Sequence, residues 1–538
     1  MSFETLLTPE RIARETGAGF WRDKVITDFL DEYAEATPDK VAFVDSRRQI
    51  TFAELRAEVD AVARGLLAKG IGSGDVVSFQ IPNWIEWIVV HYAATRIGAV
   101  SNPLIPIYRE REVGFMVELA RSKVIVVPQE FRGFDYPTMI EGLRAEWDFG
   151  PEMVVLGTDS WDQLRAGGDD AADLAALRPD PNDVTLLIFT SGTTGEPKGV
   201  MHTHNTMVAA NDPLPGRLGV GADSVLHMAS TLAHLTGFLY GARLNVQNGA
   251  TCVLQDVWDA GTFVELVERH KITYTSAATP FLHDLVTAPN LADHDTSSLV
   301  RFCCMGAPIP RTMVREAKTL LPGLVVVGGW GQTEEGLVTI GIPGDPEEKV
   351  IETDGYPWPG MEIRVVDPFG TVAPAGQEGA LQVRGPFLFV GYAERLEMAR
   401  ELMLPADDDR GDWFDTGDLA HIDQDGYLRI SGRTKDVIIR GGENIPVAYV
   451  ENVLYEHPGI ASIAVVAIPD PRLQERACAC VVLAPGWTEL TFEQMQAFLA
   501  EKGLAKQYWP EKLVLLEDFP KTPSGKIQKF QLRAEVAE

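Results

Sequence analysis

Between residues 190 and 199 the chain reads Thr190-Ser-Gly-Thr-Thr-Gly-Glu-Pro-Lys198-Gly199, a run whose residue types suit a polyphosphate. Gly192, Gly195 and Gly199 let the backbone turn tightly and bring N–H groups toward a ligand. Ser191, Thr193 and Thr194 add hydroxyl donors, and Lys198 adds a mobile positive charge. The same residues are common in surface turns, so on composition a solvated turn and a phosphate site stand level. Spacing removes one rival. A Walker loop runs glycine, four residues, then Gly-Lys-Ser/Thr. Counting from Gly192 puts Pro197 where the second glycine belongs, and Lys198 is followed by Gly199. The charge of the whole chain adds a condition. With 47 basic and 77 acidic residues the formal charge is −30, which disfavours nucleic acid and anionic membranes as partners. A nucleotide is itself an anion, so its site must be made locally positive by backbone N–H groups, a few Lys and Arg, and a metal ion.

The elements that must position this loop are legible in outline. Residues 184–189, Val-Thr-Leu-Leu-Ile-Phe, have the composition of a buried strand and lead directly into it. Residues 51–70 carry Leu55, Val59, Val62, Leu66 and Leu67 at helical spacing and stop at a glycine. A strand is expected at residues 75–81, a helix at 83–97, and further strands at 123–127, 153–156 and 324–327. Alternation of this kind predicts an α/β sheet of parallel character. From about residue 351, Gly, Pro and Asp punctuate short strand-like pieces at 363–366, 380–383 and 427–430, which predicts a smaller β-rich unit. Beyond Arg433 come a strand at 437–439, a helix at 447–456, strands at 463–468 and 478–483, and a helix at 492–502, enough for a small α/β domain. At 538 residues the chain is too long for one core. The five cysteines, Cys252, Cys303, Cys304, Cys478 and Cys480, have neither disulfide-scaffold number nor zinc spacing and read as buried, reduced side chains. With no signal-like N-terminus and no apolar run of membrane length, the expectation is a cytoplasmic chain without a membrane span.

The loop at 190–199 resembles the signature loop of the AMP-forming acyl- and aryl-CoA synthetases, relatives of luciferases and peptide-synthetase adenylation domains. The likeness runs from about residue 29 to 529. It implies a large N-terminal domain of α/β subdomains plus a small β-rich unit, residues 1–432, and a small mobile α+β C-terminal domain, residues 433–538. It also implies roles for residues. Thr190, Ser191, Gly192, Thr193, Thr194, Gly195 and Lys198 would grip the phosphates of ATP, with Thr194 among the catalytic groups. Gly328-Gly-Trp-Gly-Gln-Thr-Glu334-Glu-Gly336 is similar to the family's adenine and magnesium motif. There Trp330, at a position more often tyrosine, would offer a flat face to the base, flanked by Gly331 and Gln332. Thr333 would meet phosphate, and Glu334 would hold Mg2+ against the phosphates as a hard oxygen ligand. Gly306, Ala307 and Pro308 would lie along the adenine. In Gly411-Asp-Trp-Phe-Asp-Thr-Gly-Asp418-Leu, Asp418 would accept from both ribose hydroxyls, while Asp407, Asp408 and Asp409 read as a solvated acidic turn. Arg433 would hold ribose or phosphate, and Lys435 falls at the hinge between domains. Gly441 and Gly442 would leave a passage for the pantetheine of coenzyme A. Lys526, in Pro520-Lys-Thr-Pro-Ser-Gly-Lys526-Ile-Gln-Lys529, would be the catalytic lysine, with Lys521 and Lys529 as flanking solvated charges.

The implied reaction has two steps: a carboxylate and ATP give acyl-AMP and pyrophosphate, then coenzyme A gives acyl-CoA and AMP. The acyl pocket is expected around His234, Gly237, Phe238, Phe281, Met305 and Gly329, with Ala277 and Ala278 nearby. Residues 229–241 contain no Asp or Glu to hold an α-amino group and no Asn of the kind used by hydroxyaryl-acid enzymes. The small, apolar lining suits an alicyclic or medium-chain acid. An enzyme that loads a carrier protein, an aromatic-acid CoA ligase, and a nucleotide-binding regulator without catalysis are the rival readings. Monomer and homodimer are both open.

Overall fold

The computed structural model describes residues 3–536 except 169–171, 191–196, 307–308, 407, 441–442, 446 and 522–526. The helix expected at 51–70 forms as Phe52–Ala68, started by a capping box in which Thr51 Oγ1 accepts from Glu54 N and the Glu54 carboxylate accepts from Thr51 N. The helix expected at 83–97 forms as Ile85–Arg96, and every residue in it except Glu86 is buried. A helix apolar on all sides needs walls on all sides. It lies in the main apolar core, where Trp87 meets Phe79 edge-on at 5.1 Å and Phe238 at 5.9 Å. Each such aromatic or large aliphatic side chain contributes about 1.5–3 kcal/mol by leaving water. Arg96 at its C-terminus is anchored by a two-pronged pair with Asp31 and by Asp60.

Among the described residues the strands form two large sheets, and both follow one design. In the first, Val225–Met228, Thr251–Leu254, Tyr274–Ala277, Arg301–Cys304 and Val325–Gln332 run parallel, then the chain doubles back antiparallel through Gly336–Ile340 and Tyr356–Pro357. In the second, Val76–Phe79, Val100–Pro103, Val124–Val127, Glu152–Val155 and Val184–Thr190 run parallel, then double back through Lys198–Thr203, which pairs onward with Gly391–Tyr392. The parallel character expected from the sequence therefore holds in the body of each sheet; it gives way to a hairpin at one edge of the second sheet and at both edges of the first, where Val41–Val44 runs parallel beside Thr251–Leu254 and Gln49–Thr51 pairs antiparallel with it. Cys303 and Cys304 sit on opposite faces of the first sheet, in separate apolar clusters, and all five cysteines are buried and unpaired by disulfide.

The β-rich unit is a sheet of Glu362–Val366, Gly379–Arg384, Trp413–Ile422 and Met403–Leu404, with Leu428–Arg433 paired to Trp413–Ile422. After it the apolar clusters change hands. Ile438, Val450, Leu454, Val465 and Leu499 share a core with no member before residue 438. That core is built on the long hairpin Ile460–Asp470 and Gln474–Leu483, with Val447–Tyr455 and Phe492–Glu501 packed on it. The other face is covered by the last helix, Lys529–Val536.

Candidate active site

The phosphate-loop sequence is the connection of a hairpin. Thr190 stands opposite Lys198, Phe189 opposite Gly199 and Ile188 opposite Val200 on antiparallel strands. The loop thus connects strand to strand, where a Walker loop connects strand to helix. Ser191, Gly192, Thr193, Thr194 and Gly195 lie outside the described residues. Gly199, expected from its spacing to let the chain approach a ligand, is also tightly packed. A Cβ there would stand 2.7 Å from Leu187 Cδ1, 3.3 Å from Phe189 and 3.4 Å from Ala393 Cβ, so a larger residue would have to displace its neighbours. Lys198 begins the return strand with its ammonium 4.9 Å above the ring of Tyr392.

The second hairpin carries the Trp330–Gly336 motif. The sequence suggested a glycine-rich stretch following a strand at 324–327; in fact the strand continues to Gln332, and Gly336–Ile340 returns beside it. The two chains come so close that a Cβ on Gly331 would lie 1.8 Å from the Gly336 carbonyl oxygen. Gly336 has φ +64, the left-handed conformation that glycine adopts without cost. Gly329 is likewise closed off by Leu337 and Thr339. At the tip, Thr333 and Glu334 are half-buried and Glu335 is fully buried.

Two side chains outside both motifs tie the hairpins together. His202, on the first, donates from Nε2 to the Thr333 carbonyl at 2.7 Å, since a carbonyl can only accept. Burial pushes its pKa down to about 4, so the ring is neutral at pH 7. Tyr392, in register with Val200, donates its hydroxyl to Glu334 Oε1 at 2.8 Å. Burial, then the Glu334 carboxylate, raise the Tyr392 pKa and keep that proton in place. The tyrosine therefore touches both Lys198 and Glu334. Nothing in the sequence around residues 391–392 distinguishes it, and its partner is 58 positions away. Glu335 is buried with no hydrogen-bond partner on either carboxyl oxygen; burial, then Glu334 and Asp418, push its pKa well above the usual carboxylate range.

Asp418 lies within the strand Trp413–Ile422 and is 4 % exposed, opposite Arg433 on the ladder. Its Oδ2 accepts from Trp330 Nε1 at 2.8 Å and from Gln332 Nε2 at 3.1 Å, while Arg433 Nε is 3.1 Å from Oδ1. Gln332 also donates to the Thr416 carbonyl, and Thr416 Oγ1 accepts from Asp418 N. Trp330 is thus more than a flat face, since its ring edge belongs to the carboxylate. Asp408 is also more than a solvated charge. It pairs with the buried Arg384 and with Arg410, and those guanidiniums, Arg384 first, depress its pKa. Arg384 in turn meets Glu362, so this network pins the turn ahead of Asp418 to the neighbouring strands.

Gly306 has φ +82 with open space around it, as a turn at the strand end requires; Ala307 and Pro308 lie outside the described residues. Of the acyl-pocket candidates, Phe238 and Met305 share the main core, and a Cβ on Gly237 would strike the Thr231 carbonyl at 2.1 Å. Phe281 is not with them. Its ring lies tilted against Trp258, centroids 4.7 Å apart, in the cluster on the other face of the first sheet. His234 caps the helix Leu235–Tyr240, its Nδ1 accepting from Thr236 N at 3.3 Å, which gives the ring a structural task.

In the C-terminal unit, Gly441, Gly442 and Lys526 lie outside the described residues, and Lys435 falls in the turn Thr434–Asp436. Lys529 is not a free flanking charge: its ammonium is 2.7 Å from the buried Glu451. Lys521 pairs with the exposed Asp518, as a surface charge does.

Among the described residues no group of three His, Cys, Asp or Glu side chains is gathered as a metal cage. Glu334, with one oxygen committed to Tyr392, fits a different kind of site, in which a hard cation is held mainly by phosphates and water with a single carboxylate. No helix among the described residues is long and apolar enough to cross a membrane.

A family model described as AMP-binding enzyme matches residues 30–393, and its companion, AMP-binding enzyme C-terminal domain, matches residues 449–526. The chain is 36% identical over 533 residues to a medium-chain fatty-acid–CoA ligase of Escherichia coli (strain K12), covering 98% of this chain and 93% of the relative. It is 32% identical over 542 residues to a salicylyl-CoA synthase / salicylate adenylyltransferase of a Streptomyces species, covering 98% and 96%. Among solved structures, ATP-bound MatB from Rhodopseudomonas palustris superposes with a TM-score of 0.86 at 27% identity, covering 96% of this chain and 99% of that one. The anthranilate CoA ligase AuaEII with anthranoyl-AMP also gives a TM-score of 0.86, at 25% identity, covering 95% and 97%.

Proposed function

The chain belongs to the AMP-binding enzyme family and is an adenylate-forming acyl-CoA ligase, and on that premise we propose how its residues divide the work and which acid it activates. In the first step an oxygen of the carboxylate attacks the α-phosphorus of ATP, and pyrophosphate leaves. In the second the thiol of coenzyme A attacks the acyl carbonyl, AMP leaves, and the thiol proton passes to solvent. Lys198 and the loop at 190–195 hold the departing pyrophosphate, and Thr333 and Thr194 contact phosphate oxygens. Glu334 would hold Mg2+, which supplies neutralising charge to the phosphates when bound. The observation that carries this assignment is Tyr392, which joins Lys198 and Glu334 through one side chain and so brings the cationic and the metal-binding groups to one place.

Asp418 faces the ribose and Trp330 the base. Lys526 stabilises charge developing at the α-phosphate in the first step, and reorientation at Lys435 brings Gly441 and Gly442 to the site for the second. In the acyl site, Phe238, Met305, Gly237 and Gly329 favour an apolar chain with few polar anchors, so the substrate is a medium-chain or alicyclic acid; the medium-chain ligase at 36% identity supports this. An aromatic acid is the second reading, favoured by the salicylate and anthranilate relatives.

A coenzyme-A-dependent AMP-release screen over short, medium, alicyclic and aromatic acids decides between them. Highest kcat/KM on a hydroxy- or aminobenzoate would replace the medium-chain reading. Lys526→Ala should abolish acid-dependent ATP–pyrophosphate exchange yet still convert supplied acyl-AMP to thioester; undiminished exchange would remove the lysine from the first step. A phosphopantetheinyl carrier protein used in preference to coenzyme A would overturn the choice of acceptor.

A further inference from the structure

We propose that Arg11 is a positioning residue for the first half-reaction, holding Glu334 in place through a single peptide group that lies between them. The inference rests on the reading above that Glu334 holds the magnesium ion. Arg11 stands in the first turn of the helix Pro9–Gly17, ahead of the span matched by the AMP-binding enzyme model, which begins at residue 30. Its half-buried guanidinium faces the segment that leads from Gly379–Arg384 in the β-rich unit to Gly391–Tyr392 at the edge of the second sheet. Nη2 donates to the Leu388 carbonyl, and Nη1 donates to the Phe389 carbonyl at 3.1 Å.

The Leu388 carbonyl and the Phe389 N–H belong to one planar peptide group. Arg11 holds its oxygen end, and its N–H end donates to the Glu334 carbonyl at 2.6 Å. With both ends occupied the group cannot turn out of line. A cation on the oxygen also polarises the amide and strengthens the bond that its N–H gives. The following residues reach the Glu334 side chain. The Phe389 ring lies tilted against Tyr392, centroids 4.9 Å apart, and the Tyr392 hydroxyl donates to Glu334 Oε1 at 2.8 Å. Residues 389–392 thus locate both the backbone and the carboxylate of Glu334, and Arg11 is the charged group that locates them. Other N-terminal bonds serve a different end. Leu6 N donates to the Val390 carbonyl at 2.7 Å, and Trp21 Nε1 to the Pro386 carbonyl at 3.1 Å. These fasten the N-terminal segment to the body of the protein, but neither acts on the peptide group that meets Glu334.

The test is titration of the full chain with ATP, once with Mn2+ and once with a chelator and no metal, read by calorimetry and by the electron paramagnetic resonance of Mn2+. Arg11→Met keeps most of the side-chain stem and removes its donors. In this variant, its fold checked by thermal melting, Mn2+·ATP should bind about 10-fold more weakly, while metal-free ATP stays within about 2-fold of the unaltered enzyme. Arg11→Lys, with one charged donor, should fall between the two. If the methionine variant does not fold, Arg11→Lys decides alone: weakening confined to Mn2+·ATP supports the proposal, and unchanged binding overturns it. Trp21→Phe is the control for mere fastening; it should lower the melting temperature and leave the ratio of the two affinities within about 2-fold. Unchanged Mn2+·ATP binding in a folded Arg11→Met would overturn the proposal. So would equal weakening with and without metal, or an equal shift of the ratio in Trp21→Phe. Glu334→Gln separates this from the parent reading. If that variant binds Mn2+·ATP as tightly as the unaltered enzyme, Glu334 does not hold the metal. If it binds more weakly while Arg11→Met does not, only the positioning role fails.

Discussion

The two hairpins at residues 184–203 and 325–340 solve the same problem differently. Each ends a run of parallel strands by doubling back, and each brings chemistry to the edge of its sheet. The first is held by its ladder, by onward pairing with Gly391–Tyr392 and by His202, and its glycine, Gly199, is closed off by side chains, the end of Leu187 nearest. The second is closed by backbone: Gly331 lies against the Gly336 carbonyl, and Trp330, Gln332, Thr333 and Glu334 all bond to groups outside the hairpin. The difference suits the proposed tasks. Pyrophosphate must be gripped and then released, whereas the base, ribose and cation need fixed donors and acceptors.

Substitution of the two glycines puts the largest strain on this comparison. Gly331→Ala drives a methyl into backbone that has nowhere to move, and loss of more than about 4 kcal/mol of stability is expected together with loss of AMP release. Gly199→Ala meets side chains rather than backbone, the movable end of Leu187 most closely, and should cost about 1–3 kcal/mol. Melting curves of the two variants read the contrast, and equal losses would erase it. The next effect comes from His202, which ties one hairpin to the other. Its pKa is near 6.5 unfolded and about 4 folded, so between those values the unfolded chain binds more protons. Its contribution is complete above pH 6.5 and is lost as pH falls to 4, a change of about 3 kcal/mol. Denaturation midpoints across that window should fall with pH more steeply than in His202→Gln.

Lys198→Met should lower kcat/KM for ATP by about 100-fold, near 2.7 kcal/mol, with little change in melting temperature. A large stability loss instead would make the lysine a structural member of its hairpin. The smallest expected effect belongs to Tyr392→Phe, which keeps the ring under Lys198 but frees Glu334 Oε1. Binding of Mn2+·ATP, followed by electron paramagnetic resonance, should weaken about 10-fold, or 1.4 kcal/mol. Unchanged binding would mean that the hydroxyl does not orient the carboxylate.

Much of this was legible in the chain because the signals are local. The helix Phe52–Ala68 declares itself by five apolar residues at helical spacing and a capping threonine, and Val184–Thr190 by the apolar run Leu186-Leu-Ile-Phe189 at its centre. The motif at 190–199 and Glu334, Asp418 and Lys526 are recognised by type and order. What stayed hidden depends on partners far apart in sequence. Trp413–Ile422 carries Asp, Thr and Gly, which disguise a strand, and the bond from Trp330 to Asp418 spans 88 positions. His202 and Tyr392 are single residues whose importance comes only from what the folded sheets place beside them. Phe281 shows the converse: it packs in a cluster apart from Phe238 and Met305, a separation that only the folded sheet reveals.

Two ion pairs bracket the turn that follows the β-rich unit. Arg433 is held to Asp418 on one side, and Asp436 is held at 2.8 Å by Arg533 of the final helix on the other. If the C-terminal unit swings as proposed, the joint has only Thr434 and Lys435 as its bearing, so two pairs of backbone torsions must carry the whole excursion. Such a joint has little slack and few resting positions. The enzyme would then switch between its two half-reactions as a latch does, stopping at defined angles set by those torsions, rather than drifting through a continuum on a loose tether.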